Sequence, residues 1–214
     1  MLAREAAAVD LATLEAHLAR RGGRLDEGAA RHLGHALAAI LAEAHATLDD
    51  EGNLAAVLHG HLAAALVRVT TDGAVSVLAA PAGAPVTAPE LLQGGRLTPR
   101  ADVFALGTIL APLLADGSDE ELRAALVLAA TPEAARRRIT CVELEALLER
   151  GADLDAGRRS LGEAVRACLE ARDRPVAAAA SRPLSMPARV GVALLTAAAV
   201  FAAGVAVAER WLVR

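Results

Sequence analysis

Apolar residues recur at helical spacing through most of this chain, and one short stretch reads instead as a pair of strands. That imbalance bounds the fold. Leu11, Leu14 and Leu18 mark one helical face, and Leu33, Leu37, Ile40 and Leu41 mark a second, since residues three and four apart share one side of an α-helix. Gly22-Gly23 separates the two helices. Residues 67–69 and 75–78 flank Thr71-Asp72-Gly73, a hairpin signature. Asp102 stands where it can cap a helix running to Leu114, and Asp119-Glu120-Glu121 suits the positive end of the next helix. Thr140 with Glu143 has the spacing of a capping box for a short amphipathic helix over 140–150. Ser160 with Glu163 reads as a second box, followed by an apolar stripe of Leu161, Val165, Cys168 and Leu169. The expectation is a mainly α protein with one small β-hairpin.

Composition sharpens this. Hydrophobic residues make up 55% of the chain but aromatics only 1%, with two Phe, one Trp and no Tyr. A core of Ala, Leu and Val lacks the large burial that aromatic rings supply, so modest stability is expected. A net charge of −4 and the absence of a basic, aromatic-laced patch argue against nucleic acid as a partner. Cys141 and Cys168 have neither metal nor redox spacing and read as small buried hydrophobes in a reducing compartment. His32 and His35 lie one helical turn apart, with His59 and His61 further on. No carboxylate or Cys cluster joins them, so no metal site is assigned.

The two ends differ. Charges recur through the first thirty residues, so no secretory signal is expected there. Residues 190–208 are nineteen without a charge, about 28 Å as a helix and close to a bilayer core. Arg189 flanks them on one side and Glu209, Arg210 and Trp211 on the other, and Trp suits a membrane interface. The reading is a single-pass C-terminal transmembrane anchor at 189–208 with residues 1–189 cytoplasmic. A Pro/Ala-rich juxtamembrane linker covers 174–188, and a short tail covers 209–214. The remaining segments are a domain at 1–150 and an additional helix at 151–173.

One run carries more specific information. His59-Gly60-His61-Leu62-Ala63-Ala64-Ala65-Leu66 continues into the hairpin and then into Ala79-Ala80-Pro81. Ala88-Pro89-Glu90 follows, then Asp102-Val103-Phe104-Ala105-Leu106-Gly107, and later Arg138-Ile139-Thr140-Cys141-Val142-Glu143-Leu144. In order and spacing this resembles the C-terminal lobe of a bacterial-type Ser/Thr protein kinase. That family reads H-R-D-L-K-x-x-N, a hairpin, D-F-G, A-P-E and finally R-P-S-x-x-E-L. The resemblance implies a kinase C-lobe-like helical domain over 1–150. It also implies structural roles for four residues. His59 would pack under the loop, Asp102 would bond the loop backbone, and Glu90 would form a buried ion pair with Arg138.

The chemistry of the family lies in the letters that differ. Where it has a catalytic base, a metal-holding Asn and a metal-chelating Asp, this chain has His61, Leu66 and Ala79, and the loop Lys is replaced by Ala63. Mg²⁺ demands oxygen ligands, and phosphoryl transfer rests on positioning and charge stabilisation. Only residues 82–87 separate the D-F-G position from Ala88, and no Gly-rich loop or five-stranded N-lobe is read upstream. Neither catalytic nor cofactor- or metal-binding residues are therefore assigned, and ATP is not an expected ligand. The resemblance points to a membrane-anchored pseudokinase, a scaffold or interaction module in signalling. Its protein partner would cover the face left by the missing N-lobe. Two alternatives remain open: a kinase whose N-terminus is truncated or misassigned, and a decaying kinase remnant without a selected role.

Overall fold

The structure is a computed structural model, described here for residues 7–114 and 119–173. Among these residues lie seven α-helices and one three-stranded sheet. The chain enters through strand β1 (Ala8–Asp10) and turns at once into helix α1 (Leu11–Arg20). Asp10 makes that turn possible, because its carboxylate accepts from the Thr13 N–H at 2.8 Å and satisfies one of the free donors of the first turn. Asp26 does the same for helix α2 (Glu27–His45), accepting from Ala29 N–H at 2.9 Å.

Helix α2 is the axis round which the described residues pack. Its Ala29, Ala30, Leu33, Leu37, Ala38 and Leu41 are all buried, and helices α4 (Pro99–Leu114), α6 (Cys141–Glu149) and α7 (Leu154–Asp173) pack round it. Short helix α3 (Pro89–Leu92) precedes α4, and α5 (Glu120–Ala129) packs between α4 and α6. The core is aliphatic throughout, built from Leu, Val, Ala, Ile and Cys.

The sheet holds one strand more than the expected hairpin. Strand β2 (Val67–Thr70) pairs antiparallel with β3 (Val75–Val77) and, on its other edge, with β1, in register Ala8↔Thr70. Three residues are too few to show a period of two, so β1 is set by its partner.

Two further expectations are corrected. Asp102 lies inside the first turn of α4, three residues past Pro99, and caps nothing. Ser160 lies in the middle of α7 rather than at its start; its hydroxyl donates to the Asp26 carboxylate, while Asp153 takes the capping role, accepting from Ala156 N–H at 2.9 Å. Helix α7, which covers the additional helix expected at 151–173, packs on the rest of the fold. It belongs to the same compact unit as everything before it and crosses α2 so closely that a Cβ on Gly157 would come within 2.2 Å of the Gly28 carbonyl oxygen. The linker at 174–188, the span at 189–208 and the tail at 209–214 lie outside the described residues. Among the described residues, no helix is long and apolar enough to cross a membrane.

Candidate functional site

The run from His59 to His61 is held by one side chain. Asp102 is fully buried, and its Oδ1 accepts from Gly60 N–H at 2.7 Å while Oδ2 accepts from His59 N–H at 2.9 Å. His45, the last residue of α2, brings its Nε2 to the same Oδ2 at 2.9 Å. Burial pushes the Asp102 carboxyl up, but the His45 contact and the two backbone donors outweigh it and hold the group below its ordinary value. The chain can bend this way at Gly60 because its φ of 74° lies in the left-handed region, which a residue without a Cβ adopts freely.

His59 extends the node towards the sheet. Its Nε2 donates to the Leu78 carbonyl at 3.0 Å, and its Nδ1 accepts from His61 N–H at 3.2 Å. That pair of contacts places the ring proton on Nε2. His61 in turn directs Nδ1 to the Pro85 carbonyl at 3.3 Å. The loop is thus tied to α4, to the end of β3 and to the Pro-rich connection after it.

Beside the loop lies a cleft of about 410 Å³, lined by Ile40, Ala44, Val57, His59, His61 and Ala79 among others. The structure therefore brings three of the singled-out positions, 59, 61 and 79, to one surface. Leu66 is not part of this lining; it ends a 3₁₀ turn, and its carbonyl accepts from Leu78 N–H at 2.8 Å. The cleft offers two imidazoles and otherwise carbon or backbone. Among the described residues, no carboxylate or side-chain amide lines it, so these residues lack the hard oxygen donors a divalent cation would need.

Glu90 is engaged in a second node, with a different partner from the one expected. Arg137, not Arg138, pairs with it: Nη1 reaches Oε1 at 2.8 Å and Nη2 reaches Oε2 at 2.6 Å. The other donors of Arg137 go to the carbonyls of Thr131 (2.7 Å), Arg100 (2.6 Å) and Pro132 (2.8 Å). A guanidinium has five N–H groups in a fixed fork, and all five are used. The cation also lies 4.9 Å from the centre of the Phe104 ring. The Arg137 hydrogen bonds hold the Glu90 carboxyl below its usual range. One side chain thereby ties α3, the start of α4, the end of α5 and the segment entering α6.

The correction has a local cause. Arg137 and Ile139 are buried while Arg138 and Thr140 are exposed, the alternation of an extended segment. Ile139 could have signalled this in the sequence, since the Arg two residues away shares its face.

The other candidates are dispersed. His32 contacts the Gly73 carbonyl at 2.9 Å and His35 faces Glu145 at 3.8 Å, both away from the loop. Among the described residues, no group of three or more His, Cys, Asp or Glu is arranged to hold a metal. Cys141 is buried, and burial, with Asp102 and Glu145 nearby, pushes its thiol up to about 12. Such a thiol is a packing group rather than a nucleophile. No protein-family model matches this chain, and no curated protein matches it.

Proposed function

We propose that this chain is a kinase-like C-lobe module without phosphotransfer activity, tethered to a membrane by residues 189–208, which serves as a scaffold for a protein partner in signalling. The observation that carries the reading is the contrast at the loop. The Asp102 node and the Glu90–Arg137 clamp, both scaffold features, are fully formed, whereas the cleft between loop and sheet has, among the described residues, no acidic ligand for a metal. Catalysis of phosphoryl transfer is almost wholly positioning and electrostatics, so a cleft of this chemistry suits binding rather than turnover. The partner takes the apolar face around that cleft, where Val57 and Leu78 are 57% and 42% exposed; exposed apolar surface of this kind commonly marks an interface.

The test is thermal unfolding of the full chain with millimolar ATP and Mg²⁺. A ligand confined to the folded state stabilises it by RT ln(1 + [L]/Kd), about 2.7 kcal/mol at a hundredfold excess over Kd. The expected result is no shift. A shift that requires Mg²⁺ would overturn the reading in favour of an active nucleotide site.

A further inference from the structure

A larger cleft, about 820 Å³, opens on another part of the molecule, between the end of α2, the start of α4 and the segment entering α6. Ala42, Val103, Ile139 and Cys141 contribute to an apolar floor, while Arg96, Arg100 and Arg138 line it as well. These three arginines are exposed, and among the described residues none has an acidic partner. The remaining ion pair of the lining is closed on itself, Glu90 being committed to Arg137, and the His45 Nε2 is turned to Asp102. In a chain whose net charge is −4, this cleft gathers three free cations over an apolar surface.

We propose that this cleft docks an acidic peptide segment of a partner protein, one that carries Asp or Glu around an apolar anchor. Charge complementarity selects the sign of the ligand: the one carboxylate in the lining is already paired, so a cationic or neutral segment would gain nothing from the arginines. The guanidinium fork matches a carboxylate in a bidentate manner. Two features favour a peptide over a compact anion. The arginines come from three separate segments, the loop before α4, its first turn and the extended stretch before α6. In addition, two large apolar side chains of the lining, Leu54 and Val142, are 69% and 62% exposed and so offer contact area beyond the floor. The size of the cleft suffices to bury one or two apolar anchors. This inference rests on the cleft alone and stands apart from the kinase-like reading.

The experiment uses fluorescence anisotropy with the full chain and a short labelled peptide alternating glutamate and leucine, beside a lysine–leucine counterpart. The acidic peptide is expected to bind, more weakly as salt is raised, and the basic one not to bind. Arg96→Glu, Arg100→Glu and Arg138→Glu together should lower the affinity at least about tenfold with the unfolding temperature unchanged, because none of the three side chains holds the fold. Arg96→Glu alone, in a loop, should give a smaller loss and guards against misfolding of the triple variant. Failure of the acidic peptide to bind, equal binding of the basic peptide, or an affinity indifferent to charge reversal in a folded variant would each overturn the proposal.

Discussion

Two clefts among the described residues lie beside two polar nodes, and each node treats its cleft differently. At the loop, Asp102, His45 and His59 direct their polar atoms to one another and to backbone, and the neighbouring cleft is left with imidazole and carbon. At the clamp, Arg137 uses every donor on the protein itself, yet three arginines around it stay free. Buried polar groups must be satisfied wherever they are; what distinguishes a scaffold from a site is the charge left over. Among the described residues, the loop's cleft keeps two imidazoles and no carboxylate or arginine, and the clamp's cleft keeps three arginines.

The contrast is broken most severely at the clamp. Glu90→Ala leaves the Arg137 cation buried without its counter-ion, and losing one partner of such a pair typically costs about 3–5 kcal/mol. Urea unfolding should show it. The Cys141 thiol, which lines the adjoining cleft, should become open to alkylation at lower urea in the variant. A loss under about 1 kcal/mol would mean that water reaches the guanidinium, in line with the 18% exposure of the Glu90 side chain.

Asp102→Ala comes next. It strands the N–H groups of His59 and Gly60, and hydrogen bonds to a charged acceptor contribute about 1.5–3 kcal/mol. The same two carboxyls give a pH signature. Both are held below their ordinary values, 4.5 for Glu90 and 3.8 for Asp102. Each therefore adds stability that is present above those values and is lost as pH falls through the lower folded-state values. Acid unfolding curves should show stability falling from about pH 4.5 downwards, with a shallower slope in either alanine variant.

Gly60→Arg should cost about 1–3 kcal/mol because a side chain is forced into the left-handed region and its Cβ would sit 3.0 Å from Leu97 Cδ1. Calorimetry of the variant would measure this. An unchanged melting temperature would show that the loop has freedom the Asp102 bonds do not suggest. Smallest of all is Arg158→Ala. The Arg158–Asp72 pair, at 2.9 Å, is about half exposed on both sides, and water screens such surface pairs so that their loss barely moves the melting temperature. Comparing it with Glu90→Ala separates burial from ion pairing as the source of the clamp's strength.

How much could be read beforehand followed the range of the interaction. Helix α2 and the Thr140–Glu143 capping box, whose side chain and backbone bonds are both formed, rest on residues within a few positions of each other. Their spacing alone carries the information. Ser160 and Glu163 have the same spacing, yet α7 had begun six residues earlier, at Leu154. Its start is fixed by Asp153 and by the packing of Gly157 on Gly28, the latter a contact between distant segments. Asp102 has the chemistry of a helix cap and is used instead across 42 and 43 residues to hold the loop.

The sequence by itself determined that this chain is mainly helical, where its central helix runs, that its core is aliphatic, and that the loop positions 61, 66 and 79 carry no acidic side chain. Those follow from side-chain period and identity, which are local. Tertiary structure decided that a third strand joins the hairpin, that α7 is core, that Arg137 rather than its neighbour closes on Glu90, and that Arg96, Arg100 and Arg138 meet around one apolar cleft. Each of these depends on which faces of distant segments are buried together, and burial is a property of the assembled chain.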